Sequence, residues 1–169
     1  MLNFNLPTPL VPSAFKEKNL YKPLPELTLF AALALGAREF KFPKPGNGEL
    51  TARFDVPKMF YATYFSDDEA TAVEEFKHRY PNFKWRLWRG VMSVKHCLNL
   101  VDLAVQKDLQ LGSSFLTESP YFPWHFLAAC SLSSHCDSVC YKSFRGPGLA
   151  YAIFERPTVA LLQKFQPME

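Results

Sequence analysis

A helix with well-marked ends near the middle of the chain constrains the fold more than any other sequence feature. The segment Ser66-Asp67-Asp68-Glu69 has the form of a capping box, in which side chains at a helix start bind backbone N–H groups that lack an intrahelical partner. At the other end, Pro81 follows Tyr80, and proline cannot continue a helix interior. We therefore predict a helix that starts at this box and ends near Tyr80.

Strand patterns flank this helix on both sides. After it, Phe83, Trp85 and Leu87 alternate with polar residues, and Gly90 is a position where a bulge would fit. Later in the chain, Gly146-Pro147-Gly148 separates two apolar segments in the manner of a hairpin connection. The strands predicted from such patterns cover residues 50–54, 59–65, 83–87, 91–94, 98–103, 139–144 and 149–154.

Two further helices are predicted from the positions of proline and glycine. Pro25 suits the first turn of a helix over residues 25–35, and Gly36 suits its C-terminal end. The second helix covers residues 122–132 and carries Pro123 in its first turn. The first of these helices is apolar on nearly every side, so we expect it to be buried.

The chain is expected to form an extended arm followed by one domain. Residues 1–24 are rich in proline and predict the arm. Residues 25–169 predict a single domain, because a chain with 48% hydrophobic residues can bury a sizeable core. Helices and strands that follow one another without regular alternation indicate the α+β class rather than a doubly wound sheet.

Charge and hydropathy exclude several classes of partner. The net charge is +3 and no run of Lys or Arg occurs, so we expect no direct binding of nucleic acid. The longest apolar run, residues 27–35, is far shorter than the roughly 20 residues of a membrane span, and the N-terminus lacks the pattern of a secretory signal. Four cysteines in such a chain are expected to be reduced thiols, which predicts a cytoplasmic location.

One cluster of potential metal ligands consists of Cys130, Cys136 and Cys140 with His125 and His135. Structural zinc sites usually hold cysteine pairs separated by two to four residues, whereas five residues separate the first two cysteines here. Cysteine also packs well as a small apolar residue. We therefore predict that these thiols pack in the core and that the protein has no metal site.

Two segments about seventy residues apart resemble the RES domain. The first begins at Arg53, and the second begins Tyr141-Lys142-Ser143-Phe144-Arg145-Gly146-Pro147-Gly148. The family takes its name from an Arg, a Glu and a Ser set at long intervals, and the matching positions here are Arg53, Glu74 and Ser143. The resemblance covers roughly residues 50–156.

The resemblance implies a fold, an activity and a partner. The fold would be a mixed, split β-sheet core like that of ADP-ribosyltransferases. The activity would be that of an NAD-consuming toxin, which cleaves the nicotinamide–ribose bond by hydrolysis, phosphorolysis or ADP-ribosyl transfer, with NAD as substrate and no other cofactor. The partner would be a helix-turn-helix antitoxin. The alternative is a catalytically silent protein-binding relative, and the sequence leaves open whether the chain forms a homo-oligomer.

The family's glutamate is assigned to Glu74 by its spacing from the helix start. As in glycosidases, a carboxylate near the ribose would stabilise the positive charge that develops when nicotinamide leaves. Glu75 stands next to it, and adjacent helical residues point about 100° apart, so at most one of the two enters a cleft. The alternative assignment to Glu75 therefore stays open.

The remaining site residues are assigned roles in binding NAD. An arginine fork suits the diphosphate, for which the resemblance implies Arg53, with Arg145 or Arg38 as second candidates. Tyr61 would stack on the nicotinamide ring, and Ser143 would hydrogen-bond a ribose hydroxyl or the nicotinamide amide. Family members usually carry a further Arg upstream of this tyrosine, and no residue here fits that position well.

Overall fold

The computed structural model of the protein describes residues 20–37, 54, 62–109, 111, 135–154 and 165–169. Within these residues, six strands and two helices follow one another along the chain. They are β1 (Tyr21–Ala34), β2 (Thr63–Ser66), α1 (Glu69–Arg79), β3 (Trp85–Asn99), α2 (Leu103–Asp108), β4 (Ser138–Lys142), β5 (Leu149–Ile153) and β6 (Gln166–Pro167).

Five of the strands close into a barrel-like sheet. The strand order is β1-β2-β5-β4-β3, and β3 pairs back with β1, while β6 adds to β3. Among the described strands, only β3 and β4 pair in parallel. The prediction of one domain with a mixed sheet is confirmed. The predicted split in the sheet is not found in this part of the chain, because β1 has a partner on each side.

The first strand is the element that the sequence pattern assigned wrongly. Residues 25–35, predicted as a helix, lie mostly in β1, which pairs with β3 in one register from Leu27↔Met92 to Ala34↔Trp85. Its residues Leu29–Ala32 are all buried, so the segment lacks the alternation that marks a half-exposed strand. A short, fully apolar run fits a buried strand and a buried helix equally well. The end of the predicted arm, residues 21–24, also belongs to β1.

The third strand is longer than predicted and passes through Gly90 without a bulge. The register irregularities of the β1–β3 pair lie instead between Lys22 and Leu27. Gly90 makes room for another side chain, since a Cβ atom at this position would lie 2.7 Å from Cδ2 of Phe165. The strand predicted over residues 98–103 ends at Asn99. Asp102 caps α2 by accepting a hydrogen bond of 2.9 Å from the N–H of Ala104.

The predicted central helix and the two closing strands are confirmed. The residue that caps α1 is Asp68, whose Oδ2 accepts a hydrogen bond of 2.7 Å from the N–H of Thr71. Ser66, which opens the predicted capping box, is instead the last residue of β2. The strands predicted at 139–144 and 149–154 correspond to the antiparallel pair β4 and β5. The predicted helix over 122–132 and the strand over 50–54, except Phe54, lie outside the described residues.

Two apolar clusters occupy the two faces of the sheet. All five barrel strands contribute to the first, which therefore fills the barrel interior, and its members include Leu29, Phe65, Met92, Cys140 and Ile153. The second lies outside the barrel and takes residues from β3, α2, β4 and β5, and its members include Leu98, Val105, Val139, Tyr141 and Ala152. Because neighbours along β4 and β5 alternate between the clusters, the register of these strands is fixed by burial on both faces.

Candidate functional site

The proposed site residues meet where α1 passes the connection between β4 and β5. The hydroxyl of Ser143, directly after β4, donates a hydrogen bond of 2.7 Å to Oε1 of Glu75 on α1. The same hydroxyl oxygen accepts a hydrogen bond of 3.0 Å from the N–H of Arg145. Ser143 is 6% exposed, and Glu75 is partly buried. The serine thus holds a carboxylate in one orientation at the edge of the barrel.

The β4–β5 connection is fastened to the start of α1 by several hydrogen bonds. Thr71 is fully buried, and its Oγ1 accepts a hydrogen bond of 2.9 Å from the N–H of Gly148. Its hydroxyl donates in turn to Oδ2 of Asp68 at 2.7 Å. Oδ1 of Asp67 accepts from the N–H of Leu149 at 2.8 Å. Because these bonds join the helix start to the connection, they also fix the distance between Glu75 and Ser143.

Glycine is required in the connection by its close approach to the helix. A Cβ atom at Gly146 would lie 2.8 Å from Cα of Thr71, and one at Gly148 would lie 2.6 Å from Cβ of Asp68. Neither distance is compatible with van der Waals contact, so any larger residue would push the connection away from α1. The Gly-Pro-Gly sequence therefore serves packing against the helix as well as the turn.

The two adjacent glutamates of α1 have different surroundings, as the helical geometry predicts. Glu74 is half-exposed, and its Oε1 accepts a hydrogen bond of 2.9 Å from Nζ of Lys77. Glu75 is the one that meets Ser143. The geometry therefore favours Glu75 over Glu74 as the carboxylate of the site, which is the alternative that the sequence left open.

A cationic side chain lies on the side of α1 that carries this carboxylate. Nη2 of Arg145 is 2.8 Å from Nε2 of His78. His78 follows Glu75 by three residues, so the two side chains share one face of α1. This contact brings the guanidinium to the face of the helix that carries Glu75. Of the arginines considered for the diphosphate, Arg145 is the one that the described residues include.

Arg53, Tyr61 and Arg38 lie outside the described residues, and so do Cys130 and His125. Phe54, which follows Arg53 in the sequence, is fully buried. Its N–H donates a hydrogen bond of 2.8 Å to the hydroxyl of Tyr64, and its ring centroid lies 5.1 Å from that of Tyr141. Tyr141 lies two residues before Ser143, so these contacts fasten the backbone after Arg53 near the end of β4.

Hydrogen bonding and burial perturb several ionisable groups around the barrel. The hydrogen bonds from the Thr71 side chain and backbone hold the pKa of Asp68 below its usual value. Burial raises the pKa of Cys97 to about 11 and that of Cys140 to about 12, and it raises the pKa of Cys136 as well. Thiols of this kind stay protonated at neutral pH and are poor ligands and nucleophiles.

Sequence reasoning missed the residues that support the site. The side chains of Thr71 and Tyr64 accept hydrogen bonds from main-chain N–H groups of other segments. No sequence pattern around either residue predicts such a contact. Thr71 lies between two alanines on the buried side of α1. This run of small residues, together with the distant Gly-Pro-Gly motif, is the one sequence signal for a close approach of the two segments. In the part of the chain that the structure describes, no cluster of three or more metal-ligating side chains occurs, and no helix has the length and apolar character of a membrane span.

Comparisons with known proteins agree with this architecture. The model of the RES domain matches residues 30–167. Among solved structures, the chain is similar to one in the crystal structure of the M. tuberculosis MbcT–MbcA toxin–antitoxin complex, with a TM-score of 0.66 and 13% sequence identity. The match covers 86% of this chain and 86% of that chain. No curated protein matches the sequence.

Proposed function

The chain belongs to the RES-domain family, and we propose that it is the toxin of a toxin–antitoxin pair that cleaves the nicotinamide–ribose bond of NAD. The structural neighbour is part of a toxin–antitoxin complex, which supports the first half of this proposal. The hydrogen bond between Ser143 and Glu75 supports the second half and is the observation that carries it. It joins two residue types for which the family is named, from segments far apart in the sequence.

Glu75 is the residue that we assign to the reacting centre, in place of Glu74. Departure of nicotinamide leaves positive charge on the ribose, as in the oxocarbenium-like transition states of glycosidases. A carboxylate held in place before the reaction stabilises that charge without reorganising. The hydroxyl of Ser143 binds Oε1 of Glu75. We therefore assign Oε2 to the ribose.

Further residues are proposed to bind the diphosphate and the nicotinamide ring of NAD. Arg145 presents its guanidinium on the Glu75 face of α1 and is our first candidate for the diphosphate among the described residues. Arg53 is proposed as its partner and Arg38 as a further candidate. Tyr61 is proposed to stack on nicotinamide. NAD is the substrate, and the mechanism uses no other cofactor.

The acceptor of the ADP-ribose group is water, phosphate or another molecule, and each outcome uses the same cleavage step. The proposed partner that inhibits the toxin is an antitoxin protein. Because the substrate is an intracellular dinucleotide, the proposed place of action is the cytoplasm.

The proposed function is tested by incubating the purified chain with NAD and measuring free nicotinamide. Calorimetry on a Glu75→Gln background then tests the binding roles without turnover. Arg53→Ala should weaken the binding of NAD and of ADP-ribose alike, because both ligands contain the diphosphate. Tyr61→Ala should weaken the binding of NAD much more than that of ADP-ribose, by on the order of 1 kcal/mol for an aromatic contact. Absence of both cleavage and binding would favour the catalytically silent protein-binding alternative.

A further inference from the structure

Three aromatic side chains lie exposed where α1 ends and β3 begins. Tyr80 is 41% exposed, Phe83 is 61% exposed and Trp85 is 37% exposed. The ring centroids of Tyr80 and Phe83 are 5.9 Å apart in an edge-on arrangement, and Phe76 lies 5.1 Å from Tyr80. Exposed rings that adjoin one another in this way mark an interaction site more often than scattered apolar residues do. We call Tyr80, Phe83 and Trp85 the aromatic surface.

Backbone hydrogen bonds hold the aromatic surface in place. The N–H of Tyr80 donates to the carbonyl of Phe76 at 2.8 Å, and the N–H of Phe83 donates to the carbonyl of Tyr80 at 3.1 Å. Trp85 pairs with Ala34 in the barrel. A surface that is already ordered loses little conformational entropy when a partner binds.

The positive charge of the chain is concentrated around these rings. Lys77, Arg79, Lys84 and Arg86 adjoin them in the sequence, and no Asp or Glu stands between Glu75 and Asp102. The whole chain, by contrast, carries a net charge of only +3. An occupant of this surface should therefore be acidic around its apolar contacts.

The ring contacts favour a protein over a nucleic acid as the occupant. Nζ of Lys77 lies 5.9 Å from the ring centroid of Trp85, and Cζ of Arg79 lies 5.5 Å from that of Tyr80. Single-stranded nucleic acids bind by stacking bases on open aromatic faces, and these two faces already hold cations. Protein interfaces, in contrast, are enriched in Tyr, Trp, Phe and Arg and make contacts along ring edges.

We propose that the aromatic surface binds the antitoxin, through an acidic segment of the antitoxin that carries apolar side chains. This inference rests on the proposed function, which supplies the partner. Tyr80 directly follows α1 and stands five positions after Glu75, which is about 7.5 Å along the helix axis and on a different side of it. A segment bound to this surface therefore anchors the antitoxin at the C-terminal end of the helix that carries the proposed active-site carboxylate.

Calorimetry with the purified antitoxin encoded beside the gene tests this proposal. The parent is the full chain with Glu75→Gln, which avoids toxicity during expression. Phe83→Asp should raise the Kd by ~10-fold or more, as expected for loss of an aromatic anchor. Lys84→Glu should raise the Kd and make it less sensitive to salt. Matched controls come from α2, which follows the other end of β3. There, Leu103→Asp replaces a side chain that is 77% exposed, and Lys107→Glu reverses an exposed charge. Both should bind like the parent.

Three results would overturn the proposal: unchanged affinity in both Phe83→Asp and Lys84→Glu, no binding of the antitoxin to the parent, or binding of a single-stranded oligonucleotide that Phe83→Asp abolishes. Phe83→Ser serves as a second variant if Phe83→Asp fails to fold. Nicotinamide release separates this inference from the proposed function. In the catalytic chain, Phe83→Asp should cleave NAD normally but resist inhibition by the antitoxin. Weakened antitoxin binding in a chain that never cleaves NAD would support the docking surface and contradict the proposed activity.

Discussion

Oγ of Ser143 lies 2.7 Å from Oε1 of Glu75, although the two residues are separated by 68 positions in the sequence. The contact depends on two elements that are fastened to each other elsewhere. Thr71 binds the N–H of Gly148 at the start of α1, one helical turn before Glu75. The position of the carboxylate is therefore set by the packing of the β4–β5 connection against α1, and each of these contacts can be tested separately.

Replacing Ser143 by Ala should slow NAD cleavage without unfolding the protein. The change removes the donor to Glu75 and leaves the carboxylate free to rotate away from the ribose. A hydrogen bond to a charged group contributes about 1.5–3 kcal/mol, so we expect kcat/KM to fall by ~10-fold or more. Steady-state nicotinamide release measures this, with Ser93→Ala on β3 as a control. Full activity in Ser143→Ala would remove the serine from the mechanism.

Replacing Gly146 by Ala should destabilise the fold and lower activity together. The added Cβ would lie 2.8 Å from Cα of Thr71, so the connection or the helix must move. Overpacking of this kind costs about 1–3 kcal/mol of the free energy of unfolding. Gly36→Ala is the matched control, because a Cβ there would have no heavy atom within 4 Å. Urea denaturation that finds the two variants equally stable would contradict the packing described here.

The hydroxyl of Thr71 should contribute more to stability than that of Thr63. Thr71→Val leaves the partly buried N–H of Gly148 without its acceptor, which costs about 1–3 kcal/mol. Oγ1 of Thr63 is buried and has no hydrogen-bond partner within the described part of the chain, so Thr63→Val should be neutral or stabilising. The free energies of unfolding of the two variants give the comparison. Equal losses would mean that the bond to Gly148 contributes little.

The buried thiols should be inert at neutral pH. In a Cys130→Ser chain the remaining cysteines are Cys97, Cys136 and Cys140, which are all buried with raised pKa values. A thiol reagent at pH 8 should label them only as fast as the protein unfolds. The folded state gains stability from these thiols below their ordinary pKa of 9.0, and this gain is lost as the pH rises from 9.0 through about 11, where Cys97 ionises. Rapid labelling of the native protein would contradict this.

The same argument predicts that the purified chain carries no stoichiometric zinc. Zinc binds thiolates, and the three thiols are held in their neutral form. Elemental analysis of the unaltered chain measures this, and a chelator should leave the melting temperature unchanged. A value near one zinc per chain would revive the metal-site reading of the cysteine cluster.

Local sequence signals predicted the elements whose ends are marked by polar or conformationally special residues. The helix α1 and the strands beside Gly146-Pro147-Gly148 are of this kind. Their prediction also placed Ser143 at the end of a strand. The β1 strand could not be recognised, because its residues Leu29–Ala32 are buried whichever way they point. The barrel closes because β1 pairs with both β2 and β3, so closure could not be predicted without that strand.

The choice between the two glutamates also depended on tertiary structure. Spacing in the sequence favoured Glu74, but the rotation of α1 about its axis is set by the side that packs. That side carries Thr71 and Ala72, the buried residues of the helix. Because these two residues face the core, the side chain of Glu75 faces Ser143, and that of Glu74 faces Lys77 and solvent. No signal within the helix itself specifies this rotation.

The most direct test of the account is nicotinamide release from NAD by the unaltered chain, Glu75→Gln and Glu74→Gln, measured under one set of conditions. We expect Glu75→Gln to be slower by roughly 10²-fold or more, the scale for losing one electrostatic stabiliser of a transition state. Glu74→Gln should cleave NAD at nearly the unaltered rate, because the Glu74 carboxylate meets only an exposed lysine among the described residues and such pairs contribute little. An active Glu75→Gln chain, or an inactive Glu74→Gln chain beside it, would contradict the account.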